Sequence, residues 1–332
     1  MTPAGPRKTA ARFAALAGLG IVLAACSSGA DPAAYPDGDI EVIVPFSAGG
    51  PTDTVTRMIA EPMAEELGVQ IVVQNVDGAG GTVGAGQAAT ADPDGYTVLM
   101  HHIGMSTAPA LYGENLAYDP LTDFRTIGLV TEVPMTIIAR PDFEPDTLED
   151  LVTYVQENQD EVTMATAGEG AASDLCGRLL TNALGVEVTT VPYDGTALAI
   201  EDLIGSQVDF MCDQTTNTTS QITDGTVKAY AVTTPERIDA LPDLPTTAEA
   251  GQPDIAVSVW HGLYVPAETP DEVVEALTAA LQTALADQSV IDDMAELGTT
   301  PVALDQATPE AHTALLTEQI ATWSEVIGSQ GG

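Results

Sequence analysis

VPFSAGGPTDTVTRMIAEPMAEEL, residues 44–67, is the stretch on which the fold turns. An apolar run closes at Val44, two glycines follow at Gly49 and Gly50, and a helical pattern runs from about Thr52 to Glu66. The first-turn amides of such a helix have no intrahelical acceptor and carry partial positive charge. They can hold a carboxylate without lysine or arginine, and the glycines let the backbone come close to it. Thr52 or Asp53 is expected to cap the helix. One such loop can also be no more than a turn before a helix.

Working outward, strand-like runs alternate with helical ones. Ile40–Val44, Val69–Asn75 and Thr97–His101 read as strands, with a helix over about Gly81–Thr90. This spacing predicts βαβ units on a parallel sheet buried on both faces. A second series follows: two apolar runs within 126–139 joined by Glu132-Val133-Pro134, a helix over 148–156, a strand over 161–165, and a helix over 174–184. Strands near 187–191, 208–213, 227–233 and 255–265 and helices near 196–204, 270–286 and 309–327 complete it. Thr166-Ala167-Gly168-Glu169-Gly170-Ala171-Ala172-Ser173 repeats the strand, glycine loop and helix order. Two helix N-termini facing one cleft would clamp a small diacid.

The chain has 332 residues and a formal net charge of -40. Its first 25 residues hold Arg7, Lys8 and Arg12 and no acid, so the remainder has six basic residues against 49 acidic ones, a net charge of -43. Nucleic acid is excluded as a partner, because phosphate binding needs a basic surface. Regular apolar periodicity argues against disorder, and the scattered acids read as a solvated shell suited to saline surroundings. No calcium-type loop or zinc spacing is present, so neither metal nor cofactor is implied.

Three basic residues, an apolar run over 13–25 and then Leu23-Ala24-Ala25-Cys26 read as an export signal ending in a lipobox. Cleavage before Cys26 and lipidation of that cysteine are expected, with residues 26–38 as a tether. Cys176 and Cys212 remain, an even pair that could bridge in an oxidising compartment or serve as two small buried apolar side chains.

Enzyme readings are weaker. Gly78–Gly86 is glycine-rich, but the third glycine of a dinucleotide loop falls on Val83, and no G-x-S-x-G elbow is present. The chain is read as a non-enzyme. A lipoprotein that reports ligand to a membrane signalling partner is the alternative to transport, with an exported hydrolase behind both.

Seven ordered segments carry a resemblance: 44–53, Asn75-Val-Asp-Gly-Ala-Gly-Gly81, Ala91-Asp-Pro-Asp-Gly-Tyr-Thr97, Tyr118-Asp-Pro-Leu-Thr-Asp-Phe124, Val191-Pro-Tyr-Asp-Gly195, Leu241-Pro-Asp-Leu-Pro-Thr246 with Glu249-Ala-Gly251, and Trp260-His-Gly-Leu-Tyr-Val-Pro-Ala267. Together they resemble the solute receptors of tripartite tricarboxylate transporters, the Bug receptors. The resemblance implies an α/β, two-domain, periplasmic-binding-protein-like (Venus flytrap) fold, each domain a mainly parallel sheet flanked by helices. It implies domain I over 39–135 and 260–332 and domain II over 136–259, with crossings near 133–140 and 256–262. It also implies a monomeric, extracytoplasmic, lipid-anchored receptor that passes a small carboxylate to large and small membrane subunits. By position, Phe46, Ser47, Gly50, Thr52 and Asp53 would form one wall of the site. Thr166, Gly168, Gly170 and Ser173 would form the other, with Asp213 at a strand end. His101 and His102 follow a strand ending at the cleft and either contact the ligand or pack. Asp174, where many members have histidine, is expected to repel a second carboxylate and so disfavour a tricarboxylate.

Overall fold

β1 (Ile40–Val44) is a β-branched run whose side chains are buried apart from Glu41, as expected of a strand covered on both faces. It pairs in parallel with β2 (Ile71–Asn75) and β3 (Thr97–His102). α1 (Pro51–Leu67) crosses between β1 and β2, burying Val55, Ile59 and Met63 and ending at Gly68 in the left-handed conformation. A 3-10 turn over Ala79–Gly81 and α2 (Thr82–Ala89) make the next crossover. Of the chain, the computed structural model describes residues 35–330. The export signal (1–25), Cys26 and the tether up to residue 34 lie outside the described residues.

The remaining elements are α3 (Gly104–Tyr112), β4 (Phe124–Ala139), α4 (Leu148–Asn158), β5 (Thr163–Thr166), α5 (Ala172–Leu184), β6 (Thr189–Pro192), α6 (Thr196–Ile204), β7 (Phe210–Gln214), α7 (Thr215–Thr223), β8 (Lys228–Val232), β9 (Ser258–Pro266), α8 (Asp271–Ala286), α9 (Gln288–Glu296), β10 (Thr300–Pro301) and α10 (Pro309–Gln330). The strand order is β2-β1-β3-β9-β4-β7-β5-β6, with β8 and β10 also pairing with β4. β5 pairs in parallel with β6 and β7. β9 and β4 run antiparallel to their neighbours, so the sheet as a whole is mixed. No described helix is long and apolar enough to cross a membrane.

Where the sequence suggests two runs within 126–139, the structure has one 16-residue strand. Phe124–Pro134 pairs with β9, and Met135–Ala139 pairs with β7 and β8. Pro134 ends the first ladder, so its missing N–H falls where the strand changes partners. Its proline is therefore a handover rather than a break. Three helices, α3, α7 and α9, form where no helix is expected from the sequence. α7 is threonine-rich and a poor helix former, yet Thr215, Thr218 and Thr219 are buried and bonded across the fold, and that packing outweighs propensity.

One core lies under α1 and α8, with Val42, Val55, Ile59, Leu277 and Leu281. A second runs from Phe124 and Tyr264 through Ile137 to Phe210 and Cys176, and a third gathers Ile138, Ala165, Leu203 and Met211. Truncating a fully buried member such as Ile59 to alanine would cost about 2–5 kcal/mol.

Candidate ligand-binding site

The loop after β1 turns through Gly49 at φ +78° into α1. The helix start lies earlier than expected: Gly50 is the N-cap, and Pro51, preset for the first helical position, begins the helix. Neither Thr52 nor Asp53 caps it. Asp53 instead reaches back, its Oδ2 accepting the Gly49 amide at 2.9 Å and Arg57 Nε at 2.9 Å, while Asn75 Nδ2 donates to its Oδ1 at 3.0 Å. Burial alone would raise the Asp53 carboxyl; the bonds from Arg57, the Gly49 amide and Asn75 bring it below its ordinary value.

The loop after β5 is built alike. Gly168 and Gly170 sit at φ +92° and +79°, and Ala171 is the N-cap of α5. Asp174 Oδ2 accepts the Gly170 amide at 3.0 Å and Arg178 Nε at 2.7 Å. Gly-x-x-x-Asp-x-x-x-Arg thus occurs at 49–57 and again at 170–178 with the same bonding. Asp174 is a brace held by its own arginine. The expectation that it repels a ligand carboxylate is corrected: its charge is turned into the loop and paired.

The two helix starts meet at one enclosed space of about 20 Å³. Gly50, Pro51 and Thr52 of α1 line it on one side, and Ala171, Ala172 and Ser173 of α5 on the other. Phe46, His102, Asp213, Gln214 and Thr196 also line it. Of the residues expected from the sequence, Phe46, Gly50, Thr52, His102, Ser173 and Asp213 are brought together here. Ser47, Asp53, Thr166, Gly168 and Gly170 do not line the space. Ser47 packs against Gly195, Asp53 braces its loop, Thr166 Oγ1 accepts the Gly168 amide at 3.3 Å, Gly168 lies against Gly80, and Gly170 offers its amide to Asp174. A larger open groove of about 770 Å³ runs along α1 and α9, but Glu61, Glu65, Asp287 and Asp293 on its walls disfavour an anion.

Contacts join the two walls. The Ser47 amide donates to Asp194 O at 3.2 Å, Thr107 Oγ1 to Gly170 O at 3.2 Å, and the Tyr112 hydroxyl lies 2.9 Å from Glu169 O and 3.0 Å from Ala79 O. Phe46 packs on Ala167 and Ala171.

All six arginine and lysine side chains among the described residues are ion-paired: Arg57, Arg125, Arg140, Arg178, Lys228 and Arg237. None lines the enclosed space, so its positive potential comes from helix ends. His102 Nδ1 accepts the Gly104 amide at 2.9 Å, which leaves the proton on Nε2 and makes that atom a donor. Burial holds His102 well below its ordinary value, so the ring stays neutral, stacked on Phe46 with centroids 4.6 Å apart. His101 lies behind it, its Nδ1 accepting the His102 amide at 2.8 Å. His261 Nε2 is 3.3 Å from Thr52 Oγ1 and orients that hydroxyl. His261, Thr196 and Gln214 are absent from the sequence-derived site; His261 lies opposite His102 in the pairing of β9 with β3, a neighbourhood set by the fold.

Asp213 is 1% exposed, and burial pushes its carboxyl up to about 6, restrained by Asn217, the Gln214 amide and Thr196. Beside it, Cys212 meets Cys176 of α5, with Cα atoms 5.9 Å apart, inside the span of a disulfide. That pairing ties the first turns of α5 to the strand end that carries Asp213.

Residues 55–331 match the tripartite tricarboxylate transporter family receptor, TctC. A protein encoded in the TAR-I ttuE-ttuC' intergenic region of Agrobacterium vitis is 52% identical over 297 residues, covering 90% of this chain and 86% of the relative. The solved structure of the periplasmic binding protein BugD superimposes with a TM-score of 0.87 at 51% identity, covering 90% of this chain and 99% of BugD. MatC from Rhodopseudomonas palustris, solved with bound malate, gives 0.85 at 39% identity, covering 88% and 100%. The fold is that of a periplasmic binding protein, and the chain belongs to the tripartite tricarboxylate transporter receptor family, whose members are solute-binding receptors rather than enzymes.

Proposed function

We propose that this receptor captures a small carboxylate between the N-termini of α1 and α5 and delivers it to the large and small membrane subunits of a tripartite transporter. The observation that carries the reading is the meeting of two helix starts, with the Thr52 and Ser173 hydroxyls, at one enclosed space with no lysine or arginine. Amides and hydroxyls in a water-excluded site hold an anion strongly because little solvent screens them. The malate bound to MatC supports a ligand of this size and charge.

The present space of about 20 Å³ is too small for such a ligand, so capture requires the walls to part and close again. Domain I is taken as 39–135 with 260–332 and domain II as 136–259, with motion where β4 changes partners and where Val257 and Ser258 join the two ladders. Contacts made only in the closed form favour it once ligand is bound. The Cys176–Cys212 bridge would hold the α5 wall rigid during closure. Outside the cell membrane, the receptor would be a monomer held by lipid at Cys26.

A thermal-shift screen of the purified protein against mono-, di- and tricarboxylic acids tests the reading. At one hundred times its dissociation constant a ligand stabilises by about 2.7 kcal/mol, a shift of a few degrees. Thr52→Ala should weaken that ligand without unfolding the protein. Absence of any shift, together with no acid released from the denatured protein in mass spectrometry, would overturn the reading.

A further inference from the structure

Both tryptophans of the chain, Trp260 of β9 and Trp323 of α10, line one groove of about 390 Å³. Ile103, Leu315 and Leu179 add apolar surface, and Val257 and Ser258, where the chain enters β9, border it as well. This groove shares no lining residue with the space between the helix starts. The two are nevertheless joined by α5, which gives Ser173 to one and Leu179 to the other, about 9 Å apart along the helix axis. Ile103 also follows His102 directly in the chain.

Trp323 Nε1 donates to Gln319 Oε1 at 3.2 Å. Trp260 differs: it is 6% exposed, and its buried Nε1 has no hydrogen-bond partner. Buried polar groups are as a rule bonded, so this donor asks for an acceptor that the protein does not supply. Among the described residues, Glu132 is the one ionised side chain on the lining, and no lysine or arginine faces it. A carboxylate would meet a like charge there and no cation, so the anion captured at the cleft is turned away from the groove. Its volume lies at the lower end of small-molecule sites, enough for a single-ring compound.

We propose that this groove is a second ligand site, taking a small neutral ring compound with a carbonyl oxygen that accepts Trp260 Nε1–H, and that its occupant tightens carboxylate binding at the cleft. The coupling rests on the receptor reading and domain division proposed above. By that division Leu179, Val257 and Ser258 belong to domain II and the two tryptophans to domain I, so the groove changes shape when the domains move. The shape described here accompanies a cleft of only about 20 Å³. A molecule fitted to it therefore prefers the closed form, and each ligand strengthens the other by the same factor.

Nitrogen-15 NMR of the full chain tests it, because two tryptophans give two indole N–H signals and both report on the groove; Trp260→Phe or Trp323→Phe assigns them. The probes are acetophenone and ethylbenzene, alike in shape except for the carbonyl, titrated with and without the acid that the thermal-shift screen identifies. Acetophenone should move both signals saturably and bind about threefold or more tighter than ethylbenzene, a preference that Trp260→Phe abolishes. No saturable movement in either condition would overturn the site, and a smaller preference in the unmodified chain would overturn the role of Trp260, whether or not W260F folds. With acetophenone saturating, the acid should bind about threefold or more tighter, and the acid should tighten acetophenone equally. A smaller gain, or a loss, would overturn the coupling while the receptor reading stands. If no acid binds, the receptor reading and the coupling fall together, and the titration without acid judges the groove by itself.

Discussion

Asp53 and Asp174 hold the same place in two separate loops. Each carboxylate accepts the glycine amide four residues before it, at 2.9 and 3.0 Å, and the arginine four residues after it, at 2.9 and 2.7 Å. Neither touches the enclosed space; both fix the glycine loop from which a helix start is aimed. Asp53→Asn and Asp174→Asn should therefore each weaken ligand binding by roughly tenfold, with a stability loss of about 1–3 kcal/mol from the unsatisfied amide and arginine. Calorimetric titration and denaturant melts of the two variants check this, and unaltered affinity in both would mean that the braces do not aim the loops.

Gly195 has extended backbone, φ 171°, which any residue can adopt. A Cβ there would overlap the Ser47 hydroxyl of the loop before α1, a contact that belongs to the closed form in the proposed mechanism. Gly195→Ala should thus spare the fold, within about 0.5 kcal/mol, and penalise only closure. Affinity should fall by tenfold or more, and small-angle scattering should show no ligand-induced compaction where the parent compacts. Parent-like compaction of the variant would refute the assignment of this contact to the closed form.

Burial holds His101, His261 and His312 down to about 3 and His102 well below its usual value. In the unfolded chain these rings titrate near 6.5, so on acidification the unfolded state takes up protons first. The stability they contribute is fully present above about pH 6.5 and is lost as pH falls towards 3. Asp213 acts oppositely: raised from 3.8 to about 6, it contributes most below 3.8 and loses that contribution as pH rises through 6. Four rings outweigh one acid. The melting temperature should be nearly level from pH 7 to 8 and clearly lower by pH 5; a level profile down to pH 4.5 would contradict the neutral buried rings.

Cys176 and Cys212 are separated by 36 residues and both are wholly buried. Closing a loop of that length restricts the unfolded chain by about 4 kcal/mol on the loop-entropy estimate. Replacing both with serine should lower stability by 2 kcal/mol or more, and thiol titration of the denatured, unreduced protein should find neither sulfur free. Two reactive thiols would sink the bridge.

The strand, glycine loop and helix order was legible at both walls because turn chemistry is local: Gly49, Gly168 and Gly170 all take positive φ. Phe46, Gly50, Thr52, His102, Ser173 and Asp213 follow from that order together with the family resemblance. What stayed hidden depends on distant partners. Pro134 reads as a break until its two ladders are seen, and Asp174 reads as a free charge until Arg178 is placed on it. His261 sits 209 residues from the threonine it orients, a relationship that no local pattern carries. Thr196 and Gln214 enter the site only because α6 begins and β7 ends there.

β4 belongs to both ladders without interruption, giving Phe124–Pro134 to one and Met135–Ala139 to the other. The two portions of the molecule therefore share a stretch of main chain that neither can release while remaining paired. Cutting the chain into separately expressed pieces would leave one of them with an unpaired buried edge, prone to aggregate. Heat should consequently melt the described chain in a single calorimetric transition, the two portions losing structure together.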